Sequence, residues 1–128
     1  MDESKYYEFI DLYKNPEHFG KLKDFDASEE NYSSSCGDKF VVYIKMDSGS
    51  IRDISFEGNG CIISTVSLSK LCGAIIGKRT AEVDNMQISD VKKLIGVDQI
   101  SLSRIPCAMI GLETVKKALK SVAKHAKQ

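Results

Sequence analysis

The chain has 128 residues, and its 18 basic and 18 acidic side chains cancel to a net charge of zero. A neutral chain has no overall field that would attract nucleic acid or an anionic membrane surface, so we expect neither as a partner. The composition, 42% apolar and 28% charged, is typical of a globular protein, and we expect residues 1–128 to form one domain. We find no secretory signal and no apolar run near the ~20 residues that a membrane helix needs, which predicts a cytoplasmic protein.

Hydrophobic spacing predicts the elements of the first half of the chain. Apolar residues at helical spacing predict an N-terminal helix that ends before Pro16, followed by a turn to Gly20. The polar segment 24–35 is predicted to be a loop. Alternating apolar residues over 40–46 and 51–56 predict a β-hairpin whose turn is 47–50.

The second half is predicted to be helical. A helix should begin at Cys61 and end near Gly77, and shorter helices should occupy 81–86 and 89–95, the latter capped by Ser89 with Asp90 and stopped by Gly96. A last helix should follow Pro106. The apolar stripe of this last helix is Ala108, Leu112, Val115, Leu119 and Val122. The predicted fold is therefore α+β, with a small antiparallel β-sheet packed against helices.

Three cysteines stand beside glycine or proline at the edges of these predicted elements. Cys36 precedes Gly37, Cys61 follows Gly60, and Cys107 follows Pro106. Thiols stay reduced in the cytosol, so metal or sulfur chemistry is a better expectation than disulfides. The positive end of a helix dipole favours a thiolate at Cys61 and at Cys107. Taken singly, each cysteine is also compatible with a small buried apolar residue.

A fourth ligand is predicted two residues after Cys36. An extended step from Cys36 returns the Asp38 side chain to the same face, and a carboxylate is a harder, more exchangeable ligand than a thiolate. We expect Cys36, Asp38, Cys61 and Cys107 to converge on one exposed metal or cofactor site. Cys72 lies about 16 Å further along the helix than Cys61, at 1.5 Å per residue, and is predicted to fill the core.

These motifs together resemble the U-type iron–sulfur cluster scaffold family, which comprises IscU, SufU and the N-terminal domain of NifU. Segment 15–22 is similar to the family's N-P-x-x-x-G-x-L motif, segment 36–38 to its C-G-D motif and segment 60–64 to its G-C-x-x-S motif. Cys107 with Ala108 is similar to its third cysteine. The resemblance covers most of the chain.

The resemblance implies a carrier rather than an enzyme. Such a scaffold receives sulfur from a cysteine desulfurase, adds iron, holds a transient [2Fe–2S] cluster and passes it to apo iron–sulfur proteins. By the same resemblance, Cys36, Cys61 and Cys107 are ligands, Asp38 is the residue of cluster lability or of zinc ligation, and Cys107 accepts the sulfur. The oligomeric state stays open, with a homodimer as one alternative.

Three departures from the patterns of individual branches bear on which subgroup of the family the chain resembles. Pro106 stands where IscU proteins carry a histidine, and the L-P-P-V-K segment for a chaperone is absent. The interval between Cys61 and Cys107 also lacks the long insertion of the SufU branch. The alternative function is a zinc-bound sulfur acceptor that stimulates a desulfurase. A structural zinc domain is disfavoured because the sequence has no C-x-x-C pair.

Overall fold

A computed structural model of the chain describes residues 3–32, 37–97 and 99–126. These residues form α-helices, strands and one short 3-10 turn at Leu102–Arg104. The helices are α1 Glu3–Lys14, α2 Ile62–Ile75, α3 Thr80–Asp84, α4 Ile88–Ile95 and α5 Ile105–Ala126, and the strands are β1 Ala27–Tyr32, β2 Lys39–Asp47 and β3 Ser50–Asn59. The predicted α+β class is confirmed.

The sheet is antiparallel and has the order β1-β2-β3. Strands β2 and β3 form the predicted hairpin, and its two turn residues, Ser48 and Gly49, have φ angles of 53° and 85°. Positive φ at both positions is the turn geometry that matches the twist of a hairpin. One face of the hairpin carries large, fully buried side chains. They are Phe40, Val42, Ile44, Ile54 and Phe56.

Strand β1 lies where the sequence predicted a loop, so that prediction is wrong. The strand pairs with β2 from Ala27 opposite Ile44 to Tyr32 opposite Lys39. Its core-facing positions include Glu29 and Asn31, which are only half-buried, and Ala27. An edge strand needs backbone hydrogen bonds along one side and little apolar surface, so its sequence lacks a clear hydrophobic alternation.

Helix α2 is the centre of the molecule, because it is buried on almost all sides. Helix α5 packs closely against it at Gly111, where a Cβ atom would lie 2.8 Å from Leu68 Cδ1. The stripe predicted for the last helix is buried from Ala108 to Leu119, and Val122 packs against the same core. Among the described residues, no helix combines the length and the apolarity needed to cross a membrane.

Three of the predicted helices begin or end one or two residues away from the predicted positions. Helix α3 spans Thr80–Asp84 rather than 81–86. The residue before α4 is Gln87, whose N–H donates to Asp90 Oδ2 at 2.8 Å, so Asp90 caps from inside the first turn and Ser89 is not the cap. Helix α5 begins at Ile105, and Pro106 occupies its first turn, where a backbone N–H is not needed.

Substitution of Gly58 tests how closely the backbones of β2 and β3 approach each other near the open end of the hairpin. It has a φ angle of 129°, and a Cβ there would overlap the Lys39 carbonyl oxygen and lie 2.9 Å from Phe40 Cα. Gly20 has a similar φ of 121° with open space around it. Gly20→Ala should therefore cost only the conformational strain, about 1–3 kcal/mol. Gly58→Ala should cost more than about 4 kcal/mol.

Urea unfolding of the two metal-free variants, followed by circular dichroism, measures both costs. The metal-free form is used because a bound ion would add its own stabilisation. An equal decrease in the free energy of unfolding of the two variants would mean that the backbone at Gly58 moves to accommodate the Cβ atom without cost.

Candidate metal centre

Asp38 and Cys61 meet because the hairpin register brings their segments together. Asp38 directly precedes β2, and Lys39 pairs with Asn59 at the end of β3, two residues before Cys61. The Cys61 backbone N–H donates to Asp38 Oδ1 at 2.9 Å. A carboxylate therefore accepts from one of the free N–H groups at the start of α2, which is a favourable place for negative charge.

Cys61 is the N-cap residue of α2, as its predicted position at the helix start implied. Its backbone is extended, with φ −72° and ψ 171°, and its sulfur accepts from the Ser64 N–H at 3.4 Å. Sulfur takes the role that a serine or aspartate oxygen usually has at this position. The Cys61 side chain is half-buried, and its sulfur is directed back over the first turn of α2.

Cys107 reaches the same place from α5. It lies in the first turn of that helix, as predicted, and is fully buried. Its sulfur, the Cys61 sulfur and an Asp38 carboxylate oxygen all lie within 4.8 Å of one another. Ligand atoms this close can share a single ion, and the described side chains bring them together from β2, α2 and α5.

The second oxygen of Asp38 shows that this group fits a cation. Asp38 is only 1% exposed, and its Oδ2 has no hydrogen-bond partner among the described residues. An unpaired buried carboxylate oxygen is costly unless a cation or a donor compensates it. Two sulfur ligands with one oxygen suit zinc or iron bound with sulfide, whereas magnesium and calcium prefer oxygen alone.

The predicted site residues are thus found in part. Asp38, Cys61 and Cys107 come together, while Cys36 lies outside the described residues. Gly37, which follows Cys36, has a φ angle of 72° and open space where a side chain would be.

The expectation of an exposed site is wrong for Asp38 and Cys107, which are 1% and 0% exposed. The reason is that each lies beside a core position. Asp38 directly precedes β2 and stands two residues before the buried Phe40, and Cys107 lies in the first turn of α5 next to the buried Ala108.

Cys72 lies away from these ligands, as predicted. It is fully buried in the main hydrophobic core. Burial, with a smaller contribution from the negative charge of Asp53, raises the pKa of the Cys72 thiol far above its ordinary range. A thiol that stays protonated is a poor metal ligand.

Ser64 is a neighbour of the site to which the sequence assigned no role. Its buried hydroxyl lies 3.0 Å from the Cys61 carbonyl oxygen and 3.4 Å from the Cys61 sulfur. Gly60 leaves room for it, since a Cβ there would lie 2.5 Å from both Ser64 Oγ and Phe40 Cζ. The available signal was a serine three residues after a cysteine at a predicted helix start.

Comparison with known proteins gives consistent results over nearly the whole chain. Residues 5–128 match the family described as the NifU-like N-terminal domain. The chain is 33% identical to the "Iron-sulfur cluster assembly scaffold protein IscU" of Thermotoga maritima, over 93% of this chain and 95% of that protein. It is 30% identical to the "Zinc-dependent sulfurtransferase SufU" of Bacillus subtilis, over 86% of this chain and 85% of that protein.

A solved structure is similar as well. The crystal structure of a putative iron–sulfur cluster assembly scaffold protein for the SUF system, from Fervidobacterium islandicum, superposes with a TM-score of 0.72. It is 26% identical, and the superposition covers 93% of this chain and 99% of that one. The sequence motifs, the α+β fold and the family match agree, and the chain belongs to the NifU-like N-terminal domain family.

Proposed function

We propose that residues 1–128 act as one scaffold domain on which an iron–sulfur cluster is assembled and from which it is released. The domain accepts sulfur, binds iron, holds a [2Fe–2S] cluster transiently and transfers it to apo iron–sulfur proteins. It is a carrier and catalyses no reaction of its own. The observation that supports this most is the group of Asp38, Cys61 and Cys107, in which one Asp38 oxygen is buried without a hydrogen-bond partner among the described residues.

The mixed ligand set suits a cargo that must leave. Thiolates hold iron and zinc strongly, and four of them make a durable site. Here one Asp38 oxygen has no partner among the residues that the structure describes, while the other accepts from the Cys61 N–H. A carboxylate held in this way is a single, exchangeable ligand beside strong ones, which allows an incoming thiol to replace it. Cys36 completes the proposed set of ligands.

The sulfur donor in this proposal is a cysteine desulfurase carrying a persulfide. The Cys107 thiolate attacks the outer sulfur, the S–S bond of the donor breaks, and the desulfurase cysteine leaves as a thiolate while Cys107 retains the persulfide. Cys107 is fully buried, so delivery requires the first turn of α5 to open towards the donor. A cytoplasmic location is also part of the proposal, and a homodimer is one alternative for the oligomeric state.

A second function is supported by the similarity to a zinc-dependent sulfurtransferase. In this alternative the same ligands hold zinc permanently, and the domain accepts sulfur from a desulfurase without assembling a cluster. Asp38 then closes a zinc tetrahedron instead of serving as an exchangeable ligand. The scaffold function needs an Asp38 ligand that exchanges, whereas the zinc function needs one that stays bound.

Anaerobic reconstitution tests the scaffold function directly. The full chain, incubated with iron, cysteine and a cysteine desulfurase, should develop the visible charge-transfer absorption of a [2Fe–2S] cluster and lose it to an apo-ferredoxin. Cys61→Ser and Cys107→Ser should reduce the bound cluster at least several-fold, because each removes a thiolate from the site. Cys72→Ser is the matched control and should retain it. A cluster that survives both ligand substitutions would exclude this site.

Asp38→Ala separates the two functions in one preparation. For the scaffold, removal of the exchangeable ligand should leave assembly intact and slow the transfer to apo-ferredoxin. For the zinc protein, loss of a residue that binds the ion directly should weaken zinc binding by at least the roughly tenfold seen when a hydrogen-bond partner of a ligand is lost. Transfer kinetics and competition with a zinc chelator measure the two effects.

Asp38→Asn is the control for the hydrogen bond that Asp38 also makes. Its amide oxygen can still accept from the Cys61 N–H, while the carboxylate ligand is lost. The two variants should behave alike if ligation is what matters. Wild-type behaviour in Asp38→Asn would mean that Asp38 serves only to hold the start of α2.

A further inference from the structure

Ser64 places two hydrogen-bond donors at the sulfur of Cys61. Its backbone N–H and its hydroxyl oxygen each lie 3.4 Å from Cys61 Sγ. The residue is 0% exposed, so bulk water does not compete for these contacts. The sulfur of a proposed cluster ligand is therefore held by one residue of its own helix.

The Ser64 hydroxyl has one proton for two acceptors. Its contact with the Cys61 carbonyl is the shorter one, at 3.0 Å, and a neutral thiol is a weak acceptor. When the sulfur is uncharged, the Ser64 hydroxyl therefore donates its hydrogen bond to the Cys61 carbonyl oxygen. A metal-bound sulfur is a thiolate, and hydrogen bonds to a charged acceptor are about twice as strong as neutral ones.

The carbonyl does not lose all its donors when the hydroxyl turns away. The Thr65 N–H also donates to the Cys61 carbonyl, at 3.0 Å. Rotation of the Ser64 hydroxyl proton from oxygen to sulfur therefore leaves no orphaned acceptor, and it requires no movement of heavy atoms.

We propose that the Ser64 hydroxyl turns to the Cys61 sulfur when a metal binds, and that it speeds release by weakening the Cys61–metal bond. Hydrogen bonds draw electron density from a thiolate and so lower its strength as a ligand. Ser64 is thus a positioning residue for release. The inference rests on the proposed function in that the bound species is one that the protein gives up.

Zinc release from the full chain tests this without a cluster. Zinc-loaded protein is mixed with an excess of a chromogenic chelator, and the rate of transfer is followed. Ser64→Ala keeps the backbone donor and loses the hydroxyl, so release should be about tenfold slower, the smallest change typical of a residue that hydrogen-bonds to a metal ligand. Ser64→Thr keeps the hydroxyl and should restore the wild-type rate.

Ser67→Ala is the matched control. Ser67 is a buried serine of the same helix, and its hydroxyl has no hydrogen-bond partner among the described residues. Its removal should leave the zinc release rate unchanged. Slower release in both variants would assign the effect to the loss of any buried hydroxyl from α2 and would overturn the proposal.

The cobalt-substituted protein supplies a second readout, which loss of packing alone does not move. Without the hydroxyl bond the sulfur lone pairs lie higher in energy, so the sulfur-to-cobalt charge-transfer band of Ser64→Ala should shift to longer wavelength. An unshifted band contradicts the proposal. So does faster zinc release from Ser64→Ala, because it would mean that Ser64 strengthens the site.

Failure of this inference and failure of the proposed function give different results. A wild-type protein that assembles no cluster, with slower zinc release from Ser64→Ala, refutes the scaffold and supports the role of Ser64. A wild-type protein that assembles and transfers a cluster, with unchanged zinc release from Ser64→Ala, supports the scaffold and refutes that role.

Discussion

The hydrogen bond from the Cys61 N–H to Asp38 is the interaction on which the arrangement of the site depends. It joins the start of β2 to the start of α2, which the pairing of Lys39 with Asn59 has already brought side by side. A hydrogen bond to a carboxylate contributes about 1.5–3 kcal/mol and offsets part of the cost of burying Asp38. Within the described part of the chain, this geometry leaves the other Asp38 oxygen without a hydrogen-bond partner, beside two thiol sulfurs.

Burial of this group follows from the two helices that supply the sulfurs. Helix α2 is enclosed by the rest of the molecule. Cys107 lies in the first turn of α5, next to Ala108 and Ile110, which are buried in the core. Low polarity around the ligands strengthens their attraction for a cation and limits exchange with water. The same burial means that sulfur delivery and cluster release both require local opening, and such opening is easiest near helix ends.

Sequence patterns gave the hairpin, the central helix and the last helix, because each has a regular spacing of large apolar residues. Strand β1 could not be found in this way, since Glu29 and Asn31 occupy its inward positions. The cysteines could be proposed as ligands from their neighbours and from the family motifs. The contact between Asp38 and Cys61 was not, because it depends on the register of β2 and β3. Ser64 stands three residues after a predicted helix start, but that spacing does not specify which of its atoms contact the Cys61 sulfur.

In the proposed site, the sulfurs of Cys61 and Cys107 bind the same ion. X-ray absorption at the zinc edge of the zinc-loaded protein tests it most directly, because sulfur at about 2.3 Å is distinguished from oxygen at about 2.0–2.2 Å. A shared site should give one zinc per chain with a sulfur-rich shell, and one sulfur fewer in Cys61→Ser and in Cys107→Ser. A sulfur count that stays unchanged in either variant would contradict it.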